Sequence, residues 1–415
     1  MSNPEGGTPL ARKLARQTLA IAAGERPDEL LEAARLHMLD AIGVGLAGAT
    51  ASTTPLTGPL ATLGLGEVTV LGRAERLTPA SAALANGTLI HSLEFDDTHV
   101  PSVIHGSAVI LPAALAVAEQ LGASGAALLS AVIAGWETIV RIGLAAPGGF
   151  QAAGFQTVAA AGPFGAAVAA GLLRGLDEAT LTAALGICGS QSSGTFAFLS
   201  NGSTVKAMHA GWAAHSGVLA AELARAGVTG PELVFEDRFG LFATYARDPD
   251  AADRFAALVE GLGADWALPE AAFKLYPVCH YIHPFLEAAE RLRADGLRAG
   301  DIGSLSCRVP EGAAPVICEP WDSKLAPRSD HDARWSLPVC LAQVLLRRTL
   351  SADDITGIAV DPDVLALARR VSWRAWPDSG FPSRFPASLT ATMTNGRELT
   401  VEVDDVRHLT ALLGA

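Results

Sequence analysis

Sixteen residues, His91 to Gly106 (HSLEFDDTHVPSVIHG), hold three histidines (His91, His99, His105), three carboxylates (Glu94, Asp96, Asp97) and Thr98, with no lysine or arginine among them. The flanks are bland: Ala-rich SAALANGTLI before, apolar SAVILPAALAVAEQL after. Charge is costly to desolvate, so titratable groups crowded between apolar segments sit where they are paired or used. An exposed helix end carrying acids would not need three imidazoles. At helical spacing His91, Glu94 and Asp97 share a face, with Thr98 four residues beyond Glu94. Two carboxylates on one face repel, so at least one must be hydrogen-bonded, paired or protonated. His105 lies past Pro101 on a loop, just ahead of a helix opening near Ser107. That place suits proton transfer beside backbone N–H groups able to receive an anion. A divalent metal held by two histidines and two acids is the rival use of the same residues, though no H-E-x-x-H signature supports it.

Three more segments carry chemistry. NGSTVKAMHAGWAAHSG (201–217) places Lys206 and His209 at a helix start after a Gly/Ser/Thr loop, a natural carboxylate or phosphate site. A lysine is electrostatically unfavourable near a helix N-terminus, so a merely solvated first turn explains it less well. FKLYPVCHYIHPFLEAA (273–289) packs Lys274, Tyr276, His280 and His283 together. Its two histidines either flank a cleft at a domain boundary or are a surface residue and a helix start before Pro284. WDSKLAPRSDHDARWSLPVCLAQVLL (321–346) mixes both signs of charge ahead of an apolar helix and is weak by itself. No P-loop, dinucleotide fingerprint or nucleophile elbow is present.

The elements that must hold these residues are mostly helices. Residues 8–49 read as two: LARKLARQTLAIAAG, stopped by Gly24 and Pro27, and DELLEAARLHMLDAIGVGLAGA, with Asp28 as N-cap candidate. Residues 50–77 are Thr/Pro/Gly-rich, with VTVLG (68–72) as a short strand. Helices follow at 79–95, 107–121, 124–145, 159–173, 177–191 and 206–226, split by Gly-rich joints and packed as antiparallel neighbours. From about residue 267 the texture changes to strands at SLSCRVP (304–310), GIAVDP (357–362) and the pair SLTATMT–NG–RELTVEV (388–403), with helices near 283–295 and 336–348. Asn395-Gly396 is a strong hairpin signal. The expectation is a mainly α protein: an all-α helical domain over 1–266, to which 404–415 could return, and a smaller α+β domain over 267–403.

At 415 residues, two domains are the default. Half the chain is hydrophobic but only 6% aromatic, which predicts a core of Ala, Leu and Val. A net charge of −13 with no basic stripe argues against nucleic acid. The N-terminus lacks an apolar leader, and the longest weakly polar run, Thr157 to Leu173, is poor membrane material. Five widely spaced cysteines without C-x-x-C suit a reducing cytoplasm.

Taken in order, DAIGVGLAGA (40–49), HSLEFDDTH with His105, NGSTVKAMHAGWAAHSG, KLYPVCHYIHP and DARWSLPVCLA (332–342) resemble the MmgE/PrpD family over nearly the whole chain. The resemblance implies dehydratase, decarboxylase or epimerase chemistry on a small di- or tricarboxylate-like acid. It also implies a helical domain with a smaller lid domain, an active site between the two, a homodimer, and no required metal or organic cofactor. Matched motif by motif, it gives His105, Lys206 and His283 as acid–base and charge-stabilising groups. Glu94, Thr98, Gln156 and His209 become substrate contacts. Three positions depart from the family's usual residues: Glu94 for Asp, Gln156 for His in GFQTVAAAGPFG (154–165), and Val339 for Tyr. A lyase with an enolate-like intermediate is the expectation. An isomerase of the same substrates, a non-catalytic carboxylate binder and a metal-dependent hydrolase are the alternatives.

Overall fold

A computed structural model describes residues 7–51, 62 and 64–406. The fold is mainly α, with small sheets. The chain divides into two compact units, the first made of Met1–Ser92, Asp96–Ala197 and Val205–Ala272, the second of Leu93–Phe95, Phe198–Thr204 and Phe273–Ala415.

The first unit contains helices α1 (Leu10–Ala23), α2 (Asp28–Ala51), α3 (Pro79–His91), α4 (Ser107–Leu121), α5 (Gly125–Ala145), α6 (Thr157–Leu173), α7 (Glu178–Cys188), α8 (Val205–Arg225) and α9 (Ala251–Glu260). Asp28 is the first helical residue of α2 rather than its cap, and with Glu29 it puts negative charge in the first turn, where the helix dipole favours it. α5, not Thr157–Leu173, is the described helix long and apolar enough to cross a membrane, and 72% of its apolar window is buried inside the protein.

α8 is central, packed against α3 on one side and α6 on the other. The approach depends on glycine. A Cβ on Gly211 would sit 2.2 Å from the Leu84 carbonyl oxygen, and one on Gly217 would sit 2.3 Å from Ala166 Cβ. Gly211→Val therefore forces backbone apart in a close-packed interior. It should cost at least about 3 kcal/mol, read as a lowered urea midpoint. The core is not only small residues: Phe235 and Phe255 pack as tilted rings with centroids 4.7 Å apart, and Phe164 and Phe242 pack beside Phe235.

Two local expectations need correction here. The short strand is β1 (Leu65–Thr69), paired antiparallel with β2 (Arg76–Leu77), not 68–72. The Asn86 amide takes the backbone beyond it, donating to Thr69 O at 2.9 Å and accepting from Leu71 N at 2.8 Å. A side chain has replaced the strand partner. α3 also stops at His91 instead of running to 95. Ser92 N closes on Leu89 O, and Glu94 has a left-handed φ of +54°. His91, Glu94 and Asp97 therefore do not share a helical face.

The second unit is built on a four-stranded mixed sheet in the order β4–β3–β5–β6: β3 (Ile302–Pro310), β4 (Val371–Trp376), β5 (Ala387–Met393) and β6 (Glu398–Val403). β3 is parallel to β4 and antiparallel to β5, and β5–β6 is the hairpin read from Asn395-Gly396. Helix α10 (His283–Ala294) packs on β5 and β6 and against α11 (Leu337–Arg347). GIAVDP is not a strand. Asp330 accepts from Gly357 N and Ala359 N, Gly357 has φ +79°, and Asp361 caps α12 (Pro362–Ala368). The parallel strand β4, VSWRAW, was not anticipated. The expected return of 404–415 falls mostly outside the described residues, which end at 406.

Candidate active site

The loop before α4 is fixed by Asp97. Its Oδ1 accepts from Ser107 N at 3.1 Å, and its Oδ2 accepts from the Ser107 hydroxyl and lies 2.8 Å from His37 Nδ1. Trp136 Nε1 donates to Ser107 Oγ at 3.2 Å. Gly106 lies so close to that indole that a Cβ would meet it at 2.4 Å. Asp97 is thus an external cap for α4, satisfying first-turn N–H at a site water does not reach.

The chain between Asp97 and His105 forms a tight hairpin. Thr98 exchanges backbone hydrogen bonds with Ala272, and His99 with Ile104. His99 is structural: its Nδ1 lies 2.8 Å from Ser102 Oγ. Burial, helped by Arg141, lowers its pKa from 6.5 to about 4. Between those values the unfolded chain binds a proton that the folded one refuses. Stability is therefore full above about pH 6.5 and falls as the pH drops toward 4. A His99→Gln variant should show a flatter melting temperature across that window.

His105 is held through Nδ1, which lies 3.0 Å from the Asp97 carbonyl oxygen and 3.0 Å from Thr98 Oγ1. A carbonyl can only accept, so Nδ1 carries the proton and exchange with a substrate falls to Nε2. The His105 side chain is 13% exposed, while His91 and Asp96 are completely buried. Asp96 Oδ2 sits 2.7 Å from His91 Nδ1 and 3.8 Å from His105 Nδ1, and the two imidazoles lie 5.2 Å apart.

From His91 the network continues through Gln156. Gln156 Nε2 donates to His91 Nε2 at 3.2 Å, and Gln156 Oε1 lies 2.7 Å from His209 Nδ1. With Asp96 accepting from His91 Nδ1, the amide fixes both rings in defined tautomers. Gln156 directly precedes α6, and its N–H donates to Gly194 O at 2.8 Å. Gly194, at φ +85°, lies against the His209 ring: its Cβ would stand 3.4 Å from that ring and 2.2 Å from Ala159 Cβ. Lys206, buried at 1% exposure, is three residues before His209 on α8, so the two share a face.

The first unit therefore brings His105, Thr98, Gln156 and His209 into a connected set, with Lys206 on the same face of α8 as His209. Sequence spacing did not disclose His91 and Asp96 as their link. The signal was two buried polar residues beside an apolar helix, but the contact with Gln156 spans 65 positions.

Glu94 and His283 belong to the second unit. There Lys274 Nζ donates to the Glu94 carbonyl at 2.8 Å and stands 3.8 Å from its carboxylate. Arg334 donates to Leu93 O at 2.7 Å and to Pro277 O at 2.6 Å. Burial lowers the Arg334 pKa, while Glu94 pulls it up. His283 opens α10, with Nε2 3.3 Å from the Val278 carbonyl and its ring edge-on to Tyr276 and His280. Both the cleft and the helix-start readings of this segment named it; the helix start is what the backbone shows, but His280 is buried rather than at the surface. Among the described residues no three His, Cys, Asp or Glu side chains are grouped as metal ligands would be.

The chain matches the MmgE/PrpD N-terminal domain over residues 12–253 and the MmgE/PrpD C-terminal domain over residues 276–410. Cis-aconitate decarboxylase of Aspergillus terreus is 31% identical over 286 residues, 66% of this chain and 58% of its own length. The chain thus spans less than two thirds of that relative. Cis-aconitate decarboxylases of Homo sapiens and Mus musculus are 28% and 27% identical, over 86% and 91% of this chain and 75% and 78% of theirs. With both domains matched in order along it, the chain belongs to the MmgE/PrpD family.

Proposed function

We propose that the protein is a lyase of the dehydratase or decarboxylase type, acting on a small di- or tricarboxylate through an enolate-like intermediate. The observation that carries this is His105: the partly exposed imidazole of an otherwise buried acid–histidine set, with Nδ1 held by a carbonyl and a hydroxyl. A base so fixed can take a proton from carbon beside a carboxylate, or return one to it.

In a dehydration, His105 removes the α-proton, the C–H pair forms the double bond, and the hydroxyl leaves with a proton as water. In a decarboxylation, the C–C bond to the carboxylate breaks, carbon dioxide departs, and the electron pair left on carbon takes a proton from the imidazolium. Both routes pass through negative charge on the remaining carboxylate. Lys206, buried in the first turn of α8, is assigned to stabilise that charge. Gln156 can hydrogen-bond a substrate but cannot move a proton near neutral pH, so proton transfer is given to His105 and not to the amide. Glu94 and His283 enter this reading through the family resemblance, as substrate-positioning group and second acid.

Proton NMR in deuterium oxide with a panel of di- and tricarboxylates tests the assignment. Loss of water or of carbon dioxide from one acid is the expected result. Deuterium exchange without net conversion would replace the lyase by an isomerase. Thermal stabilisation by an acid with no chemistry on any would make the protein a binder.

A further inference from the structure

A second charged pocket lies wholly inside the second unit, where the loop 198–204 meets residues 320–332. Lys324 lines it and is only 4% exposed. Among the described residues no carboxylate comes within ion-pair distance of its ammonium and no acceptor takes a hydrogen bond from it; only its backbone is engaged, the N–H donating to Pro320 O at 3.2 Å and the carbonyl accepting from Ser336 Oγ at 2.6 Å. An ammonium in that position is costly unless an anion or ordered solvent compensates it.

The rest of the lining suits an oxyanion. Among the described residues the Arg328 guanidinium has no carboxylate within ion-pair distance, and Ser200 and Ser323 line the pocket with hydroxyl donors. The nearest acid, Asp332, already accepts from Arg328 N at 3.0 Å. Gly202, at φ +64°, has no room for a side chain, because a Cβ would sit 2.4 Å from the Asp332 carboxyl carbon. Two cations face one engaged carboxylate, so the pocket is locally positive in a chain of net charge −13. The pocket has a volume of about 10 Å³, room for one water-sized group.

We propose that this pocket binds a small oxyanion, carboxylate or phosphate, with one oxygen on Lys324 and the remainder of the group at Arg328. Arg328 supplies the forked donor that such anions prefer, and Lys324 the desolvated charge. Burial already holds the Lys324 pKa below that of free lysine, with Asp332 pulling it back up. The site should therefore empty on the alkaline side at a lower pH than an exposed lysine would allow. His105 belongs to the other unit.

The test uses the full chain. Inorganic phosphate and, separately, malonate are titrated at constant ionic strength while tryptophan fluorescence is followed. Trp321 and Trp335 stand three residues before Lys324 and three after Asp332. Wild type should show a saturable event, separate from any binding of malonate at the His105–Lys206 site, which Lys324→Met abolishes and Arg328→Gln weakens about tenfold, the loss of one charged hydrogen-bonding partner. Saturation by phosphate alone, by malonate alone or by both identifies the anion. His105→Ala should bind as wild type does. Lys324→Met should melt no lower than wild type, since it removes a buried unpaired charge, and its melting temperature should not respond to the anion. Absence of saturation with either anion, or unchanged affinity in Lys324→Met, overturns the site. Should that variant fail to fold, unchanged affinity in Arg328→Gln overturns it equally.

Discussion

His105→Ala should lower kcat/KM by about two to four orders of magnitude, the range a positioned general acid–base group supplies. The fold should survive. The ring is partly exposed, and the caps around it, Asp97 on Ser107 and Thr98 on Ala272, do not pass through it. The pH profile is the sharper readout. A limb of kcat/KM set by the imidazole should disappear in His105→Ala and stay absent in His105→Gln, which can hydrogen-bond but not titrate. Near-normal turnover in either variant would remove His105 from the chemistry.

Lys206→Met should cost about two to three orders of magnitude in kcat, the scale seen when one donor to a developing oxyanion is lost. Its distinguishing feature is how the loss divides. Charge that builds only in the transition state predicts that kcat and kcat/KM fall together. A rise in KM with kcat unchanged would make Lys206 a ground-state anchor for the substrate. Lys206→Arg keeps the charge but replaces a compact ammonium by a planar fork, so it should recover little inside a buried first turn.

Much of the helical scaffold was legible because its signals are local. Apolar Ala/Leu runs closed by glycine placed α4, α5 and α8 to within a residue or two. Where side chains replace backbone partners, local signals mislead. Asn86 ends β1 early, and Asp330 and Asp361 turn a β-like sequence into capped turns. β4 was hidden because a strand bordered by arginines and tryptophans shows its identity only by pairing with β3, more than sixty residues away.

The site divides the same way. Residue type and loop position singled out His105, Lys206 and His209, and the family resemblance added Gln156. The Asp96–His91–Gln156–His209 chain joins three segments far apart in sequence, and no spacing rule contains that. The helical-face argument for Glu94 failed at one torsion, the left-handed φ that turns the chain away after His91.

That three-residue excursion has a bearing on how the protein is made. The second unit includes Leu93–Phe95 and Phe198–Thr204, which leave the ribosome long before Phe273. They must wait, as tethered pieces of a body not yet synthesised. A fragment begun at Phe273 would keep Lys274 and Arg334 but lose the Leu93 and Glu94 carbonyls that receive them, along with the Glu94 carboxylate. Lys274 would be stranded in its interior, and Arg334 left with the Pro277 carbonyl alone. The gene therefore cannot be cut into two at the junction and yield two soluble halves; the second half folds only with the first attached.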